Sequence, residues 1–307
     1  MNTSPSSPLP SSGERALVLG GGGSTGNAWL IAVLAGLFDA GLDVTAADLT
    51  IGTSAGATAA AQIANAAISD LYAATLSAPV PQRPADGRSG QARASALRPT
   101  ADHLARFRQV IASSQDAAHM RRTMGAAALE RDAACEPGSQ DHWRATVAAR
   151  LPGQQWPTRR MLLTAVDART GEPVEFDGES GVDLVDAVAA STSGGGSAYR
   201  IGDGRYIDGG YRRSSENADL AAGYGRVLVL SPLGGKSLYP QEWNMGLAVQ
   251  VDELRAGGSR VETVVPDAES EHLFGANAMD ASLRPAAARA GHDQGAALAE
   301  RLDEFWR

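Results

Sequence analysis

A three-layer α/β/α domain is the fold class that this chain of 307 residues predicts. Three observations predict it. Apolar runs of strand length, such as Ala16-Leu17-Val18-Leu19 and Leu49-Thr50-Ile51, are each followed by a glycine-rich turn and then by a helix-like stretch. The same alternation resumes beyond a polar middle segment, which favours one sheet carrying an insertion over two separate domains. Hydrophobic residues make up 43% of the chain, enough to fill the core of such a sheet.

Taken in order, Met1 to Gly13 is rich in serine and proline, with neither a basic start nor an apolar stretch. It is expected to be a disordered tail and not a secretory signal. The domain is placed at 14–307, with a helical and loop insertion at about 70–158. After the first strand comes Gly20-Gly21-Gly22-Gly23-Ser24-Thr25-Gly26, then a helix from Asn27 to Ala40 with Trp29, Leu30, Val33, Leu34, Leu37 and Phe38 at helical spacing.

Residues Gly21 to Gly26 satisfy G-x-G-x-x-G, and two chemistries could use them. A dinucleotide site needs an acidic residue ending the next strand to hold the ribose. That strand ends instead in Gly52-Thr53-Ser54, while Asp43 and Asp48 precede it. The other use is an oxyanion hole, in which glycines let bare N–H groups converge on a developing negative charge. One such donor is worth roughly 3 kcal/mol in acyl transfer.

Gly52-Thr53-Ser54-Ala55-Gly56 is the strongest chemical signal. It sits between a strand and the alanine-rich stretch Ala57 to Ile68, the context in which G-x-S-x-G pushes its serine out of a sharp turn. The helix behind aims its positive end at any anion forming there. A late Asp208-Gly209-Gly210 follows the short strand Gly204 to Ile207. Alone it reads as a surface turn.

Together, the glycine-rich loop, G-T-S-A-G and the D-G-G resemble the patatin-like phospholipase family. The resemblance extends to Leu162–Asp177, Val185–Ser191, Ile207–Leu220 and Arg226–Pro232, and covers roughly 14–307. It implies a patatin-like sheet and a serine acyl hydrolase acting on lipid or carboxyl esters. Ser54 would be the nucleophile and Asp208 its only partner in a Ser–Asp dyad. The oxyanion hole would lie at Gly21, Gly22, Gly23 and Ser24, through the N–H groups of the last three. Gly26, Gly52, Gly56, Gly209 and Gly210 would be the motif glycines. Two positions depart from the family pattern. Thr25 stands where a basic residue is usual, and Gly194-Gly195-Gly196 replaces a proline-bearing segment before the aspartate.

Two alternatives remain open. An α/β-hydrolase triad would order Ser, Asp and His along the chain, with His272 or His292 as the base. A non-catalytic nucleotide- or anion-binding module would use only the Gly20–Gly26 loop. The stretch Ser77 to Pro99 reads as a loop. Amphipathic helices follow over Ala101–Ser113, Ala117–Arg131 and Asp141–Leu151, either as a lid over Ser54 or as an insert packed on the core. Pro285 to Trp306 reads as a closing helix with Leu298, Leu302 and Phe305 inward.

A formal net charge of −8 argues against nucleic acid and against strong attraction to anionic membranes. The single cysteine, Cys135, excludes an internal disulfide and offers no metal cluster. No cofactor or metal is expected. The expected partners are a lipid or ester substrate and a transient membrane or micelle surface. No apolar run reaches bilayer-spanning length, and a cytoplasmic location is expected.

Overall fold

The computed structural model describes residues 14–77, 103–194 and 196–307. The expected tail at 1–13 and almost all of the expected loop at 77–99 lie outside these residues. Eight strands form one mixed sheet: β1 (Arg15–Leu19), β2 (Leu49–Gly52), β3 (Arg160–Asp167), β4 (Pro173–Phe176), β5 (Tyr199–Ile201), β6 (Gly204–Asp208), β7 (Arg226–Leu230) and β8 (Arg260–Val264). Their order is β5-β6-β3-β2-β1-β7-β8, with β4 paired to β3. From β3 to β8 along this order the neighbours are parallel, whereas β4, β5 and β6 make antiparallel pairs.

β1 and β7 are apolar on both faces because helices cover both. The helices are α1 (Gly23–Asp39), α2 (Ala55–Asn65), α3 (Ile68–Ser77), α4 (103–113), α5 (Ala117–Ala133), α6 (Ser139–Ala148), α7 (Leu184–Ser191), α8 (Leu247–Ala256) and α9 (Arg284–Trp306). α1, α2, α7 and α9 share the larger core cluster, and α8 closes the opposite face. This is the expected three-layer α/β/α fold.

α1 is buried from Thr25 to Leu37 and packs backbone to backbone against α9. A Cβ on Gly36 would overlap the carbonyl of His292, and one on Gly295 that of Val33. Two boundaries differ from expectation. α1 starts at Gly23 and not at Asn27, so the glycine loop itself forms its first turn. The alanine-rich helix ends at Asn65, because Ala66 turns extended at φ −151° and ψ 158°, and a separate α3 begins at Ile68.

In the insertion, α4 lays Phe107 against Tyr211 and Tyr239, with ring centroids 5.3 and 5.8 Å apart. Ile111 joins Met120, Met124, Ile207 and Tyr211 in a third core cluster. Among the described residues, no helix is long and apolar enough to cross a membrane. No group of three or more His, Cys, Asp or Glu side chains among them could hold a metal.

Candidate active site

Ser54 occupies the turn between β2 and α2 at φ 54° and ψ −114°, a region of the backbone map that non-glycine residues rarely enter. The flanking glycines permit the turn. A Cβ on Gly52 would lie 2.7 Å from Ala57 Cα, and one on Gly56 would overlap the Leu19 carbonyl. The Ser54 N–H donates to Ser191 Oγ at 3.0 Å, so the end of α7 helps hold the strained residue.

Ser54 Oγ donates directly to Asp208 Oδ2 at 2.8 Å. Asp208 ends β6, and its Oδ1 accepts the Gly210 N–H at 2.8 Å. Burial pushes its carboxyl up to about 6, partly offset by the bonds from Gly210 and Ser54. Gly194 explains part of the departure noted in the sequence. A Cβ there would stand 2.8 Å from Asp208 Oδ2, so only glycine leaves room for the carboxylate. A Cβ on Gly209 would overlap Thr164 Oγ1.

The glycine loop lies against Ser54: a Cβ on Gly21 would be 3.4 Å from Ser54 Cβ. Its N–H groups divide into two sets. Gly20 donates to the Leu230 carbonyl at 3.0 Å, Gly21 to the Ser215 carbonyl at 2.7 Å and Thr25 to the Ala278 carbonyl at 3.0 Å. Gly26 bonds back to Gly22 at 3.0 Å. The N–H groups of Gly22, Gly23 and Ser24 find no partner among the described residues. The inclusion of Gly21 in the expected hole is corrected here. Its N–H is already committed, and its contribution is space beside Ser54. Thr25 is fully buried beneath the loop.

Sequence reasoning missed the segment that ties these parts together. The Ser215 carbonyl takes the Gly21 N–H. Glu216, 1% exposed, accepts from the hydroxyls of Ser214, Ser215 and Ser231 at 2.6–2.8 Å. Asn217 is fully buried at φ 54° and ψ 42°. Its Nδ2 donates to Thr53 Oγ1 at 3.0 Å, to Thr164 Oγ1 at 3.3 Å and to the Gly209 carbonyl at 2.9 Å. It thus bridges the residue before Ser54 and the residue after Asp208. No local signal marked Asn217, because every partner of its amide nitrogen is distant or across the loop.

Neither candidate histidine joins the site. His292 Nε2 bonds to Asp39 Oδ2 at 2.9 Å. Asp39 ends α1, roughly 24 Å from its Gly23 start at the helical rise. His272 is exposed, with Nδ1 on the Glu269 carbonyl at 2.8 Å. Among the described residues no histidine hydrogen-bonds to Ser54 or Asp208. Cys135 is exposed and free. Asp48 bonds to the Arg15 N–H at 2.8 Å and Asp43 caps its own turn at Thr45, so each serves the loop before β2.

A strained serine at a strand–helix turn of a mixed α/β sheet is thus hydrogen-bonded to a buried aspartate. The model of the patatin-like phospholipase family matches residues 17–222, and the chain belongs to that family. Membership implies a lipid acyl hydrolase. No curated protein sequence matches the chain.

Proposed function

We propose that this protein hydrolyses carboxylic ester bonds of lipids, as a phospholipase A or a carboxylesterase, through a Ser54–Asp208 dyad. The direct 2.8 Å bond from Ser54 Oγ to Asp208 Oδ2 carries the reading, because among the described residues the aspartate is the only base in hydrogen-bond contact with the hydroxyl. Ser54 Oγ attacks the ester carbonyl carbon as Asp208 takes its proton. The carbonyl oxygen becomes an oxyanion, met by the N–H groups of Gly22, Gly23 and Ser24 and by the positive end of α1. The intermediate collapses, the C–O bond to the alcohol breaks, and Asp208 returns the proton to the leaving oxygen. Water then attacks the acyl-serine, Asp208 takes its proton, and collapse releases the fatty acid while Ser54 Oγ regains a proton.

A carboxyl near 6 is a stronger base than an ordinary carboxylate and is still largely ionised at neutral pH. Activity is therefore expected to rise with pH through about 6 and then level off. A fluorophosphonate probe tests the reading, followed by a screen of p-nitrophenyl esters beside phospholipid and lysophospholipid. Labelling at Ser54 and its loss in Ser54→Ala support the proposal. Labelling at another serine, or an unlabelled chain that binds NAD tightly in calorimetry, overturns it.

A further inference from the structure

The loop from Gly20 to Gly26 carries no charged side chain, yet a guanidinium stands against it. Arg284 opens α9. Its Nη1 donates to the Ser24 carbonyl at 2.8 Å, with Ser24 Oγ and Asn27 Oδ1 each 3.4 Å away. Its Nη2 donates to Asn27 Oδ1 at 3.3 Å. Asn27 Nδ2 in turn donates to Gln62 Oε1 at 2.9 Å. Gln62 lies on α2, the helix that begins beside Ser54. One chain of contacts therefore runs from α9 through the first turn of α1 to the helix behind the serine.

All of these partners are neutral. Among the described residues, no carboxylate forms an ion pair with Arg284. Burial lowers its pKa from the ordinary value, and the nearby Arg150 guanidinium lowers it further. A partly buried cation without a counter-ion opposes folding. Such a charge is useful beside a place where negative charge develops only during reaction, because a resident anion there would cancel it. α9 also seats against α1 backbone to backbone at Gly36 and Gly295, away from this contact along the chain.

We infer that Arg284 is a positioning residue for acyl transfer. It fixes Ser24 and the first turn of α1 relative to Ser54, and it adds positive potential to the open N–H groups. The inference rests on the reading of Gly22 to Ser24 as the oxyanion hole. It also assigns a role to a residue outside the 17–222 stretch that the family model matches.

Arg284→Gln, Arg284→Met and Arg284→Lys in the full chain test it, with kcat and KM on a soluble p-nitrophenyl butyrate, thermal melts and fluorophosphonate labelling. Gln and Met should lower kcat about tenfold, leave KM within twofold and leave Tm unchanged or raised, and Lys should recover part of kcat. A kcat within twofold of wild type in Gln and Met overturns the inference, as does a rise in KM alone. A fall in Tm that accompanies the activity loss and is not relieved by Lys marks a structural staple and also overturns it. Wild type labelled at Ser54 beside an unaffected Arg284→Gln removes this inference only. A wild type that does not label at Ser54 removes the hydrolase reading and this inference together.

Discussion

The two halves of the Ser54–Asp208 pair are held in opposite ways. Ser54 sits on a strained backbone, at φ 54° and ψ −114°, with its side chain half-buried. Asp208 keeps a negative φ, at φ −47° and ψ 134°, but has a desolvated carboxyl. On the parallel side of the sheet the unfavourable energy is stored in a dihedral angle. On the antiparallel side it is stored in a charge kept from water. Strain of the first kind forces glycines into the neighbouring positions and so leaves a motif. Strain of the second kind depends on what packs around the group, and leaves almost none.

Substitutions at each half should separate the two costs. Ser54→Ala is expected to lower turnover by about ten-thousand-fold or more, since it removes the oxygen proposed to attack. Ser54→Gly should be equally inactive, yet more stable than Ser54→Ala by about 1 kcal/mol, because glycine accepts the left-handed turn. Equal melting temperatures for the two variants would show that the turn holds no strain.

Asp208→Asn is expected to lower turnover about a thousandfold, the scale of a lost general base. Its stability should move the other way. The folded carboxyl titrates near 6 against an ordinary 3.8, so the folded state binds the proton more tightly than the unfolded chain does. Wild-type stability therefore falls as pH rises from about 4 through 6, and the full penalty is present above 6. At pH 8 the amide should be more stable than wild type by roughly 2 kcal/mol, the cost of the buried charge less some hydrogen bonding. The gain should vanish towards pH 4. Denaturant unfolding at both values checks this, and a gain that does not depend on pH would sink the electrostatic account.

Asn217 joins the two sides, and its loss should affect both moderately. Asn217→Gly keeps access to φ 54° but deletes the donors to Thr53, Thr164 and Gly209. About tenfold lower kcat and a loss of about 1–3 kcal/mol are expected. Asn217→Ala should lose about 1 kcal/mol more through the left-handed backbone. Full turnover in Asn217→Gly would mean that the bridge serves only the fold.

The same contrast explains what could be read from the sequence. β1, β2, α1 and the turn at Ser54 were legible because burial and steric crowding act on neighbours along the chain. The fold class followed from that alternation, and the family model supports it over 17–222. Asp208-Gly209-Gly210 was legible as a turn, but gained meaning only through resemblance, because its partner lies 154 residues away. Gly194 was legible only as a departure from the family pattern, and the roles of Glu216, Asn217 and Arg284 were not legible. Each acts through contacts between side chains, or with backbone, on separate elements. The commitment of the Gly21 N–H was hidden for the same reason, since adjacent glycines look alike until one meets the Ser215 carbonyl. The break between α2 and α3 was missed because alanine-rich sequence continues the helical signal through it.

The smallest expected effect lies at the outer side of the D-G-G loop, where α4 docks. His103 Nε2 contacts the Tyr211 hydroxyl at 3.1 Å, three residues beyond Asp208. Burial lowers the imidazole pKa from its ordinary 6.5, and Arg106 and Arg131 lower it further. The sign is opposite to that at Asp208. Above 6.5 the ring is neutral in both states and its linkage vanishes. As pH falls below 6.5 the unfolded chain takes up the proton first, so stability is lost. Acidification from 6.5 to 4 thus strengthens the fold through Asp208 while weakening it through His103. His103→Asn should remove the weakening, so its stability relative to wild type should improve on the acidic side. The half-exposed ring makes this difference the smaller of the two. Unfolding curves for wild type, His103→Asn and Asp208→Asn between pH 4 and 8 would resolve the two contributions. If His103→Asn tracks wild type at every pH, α4 does not sense its charge.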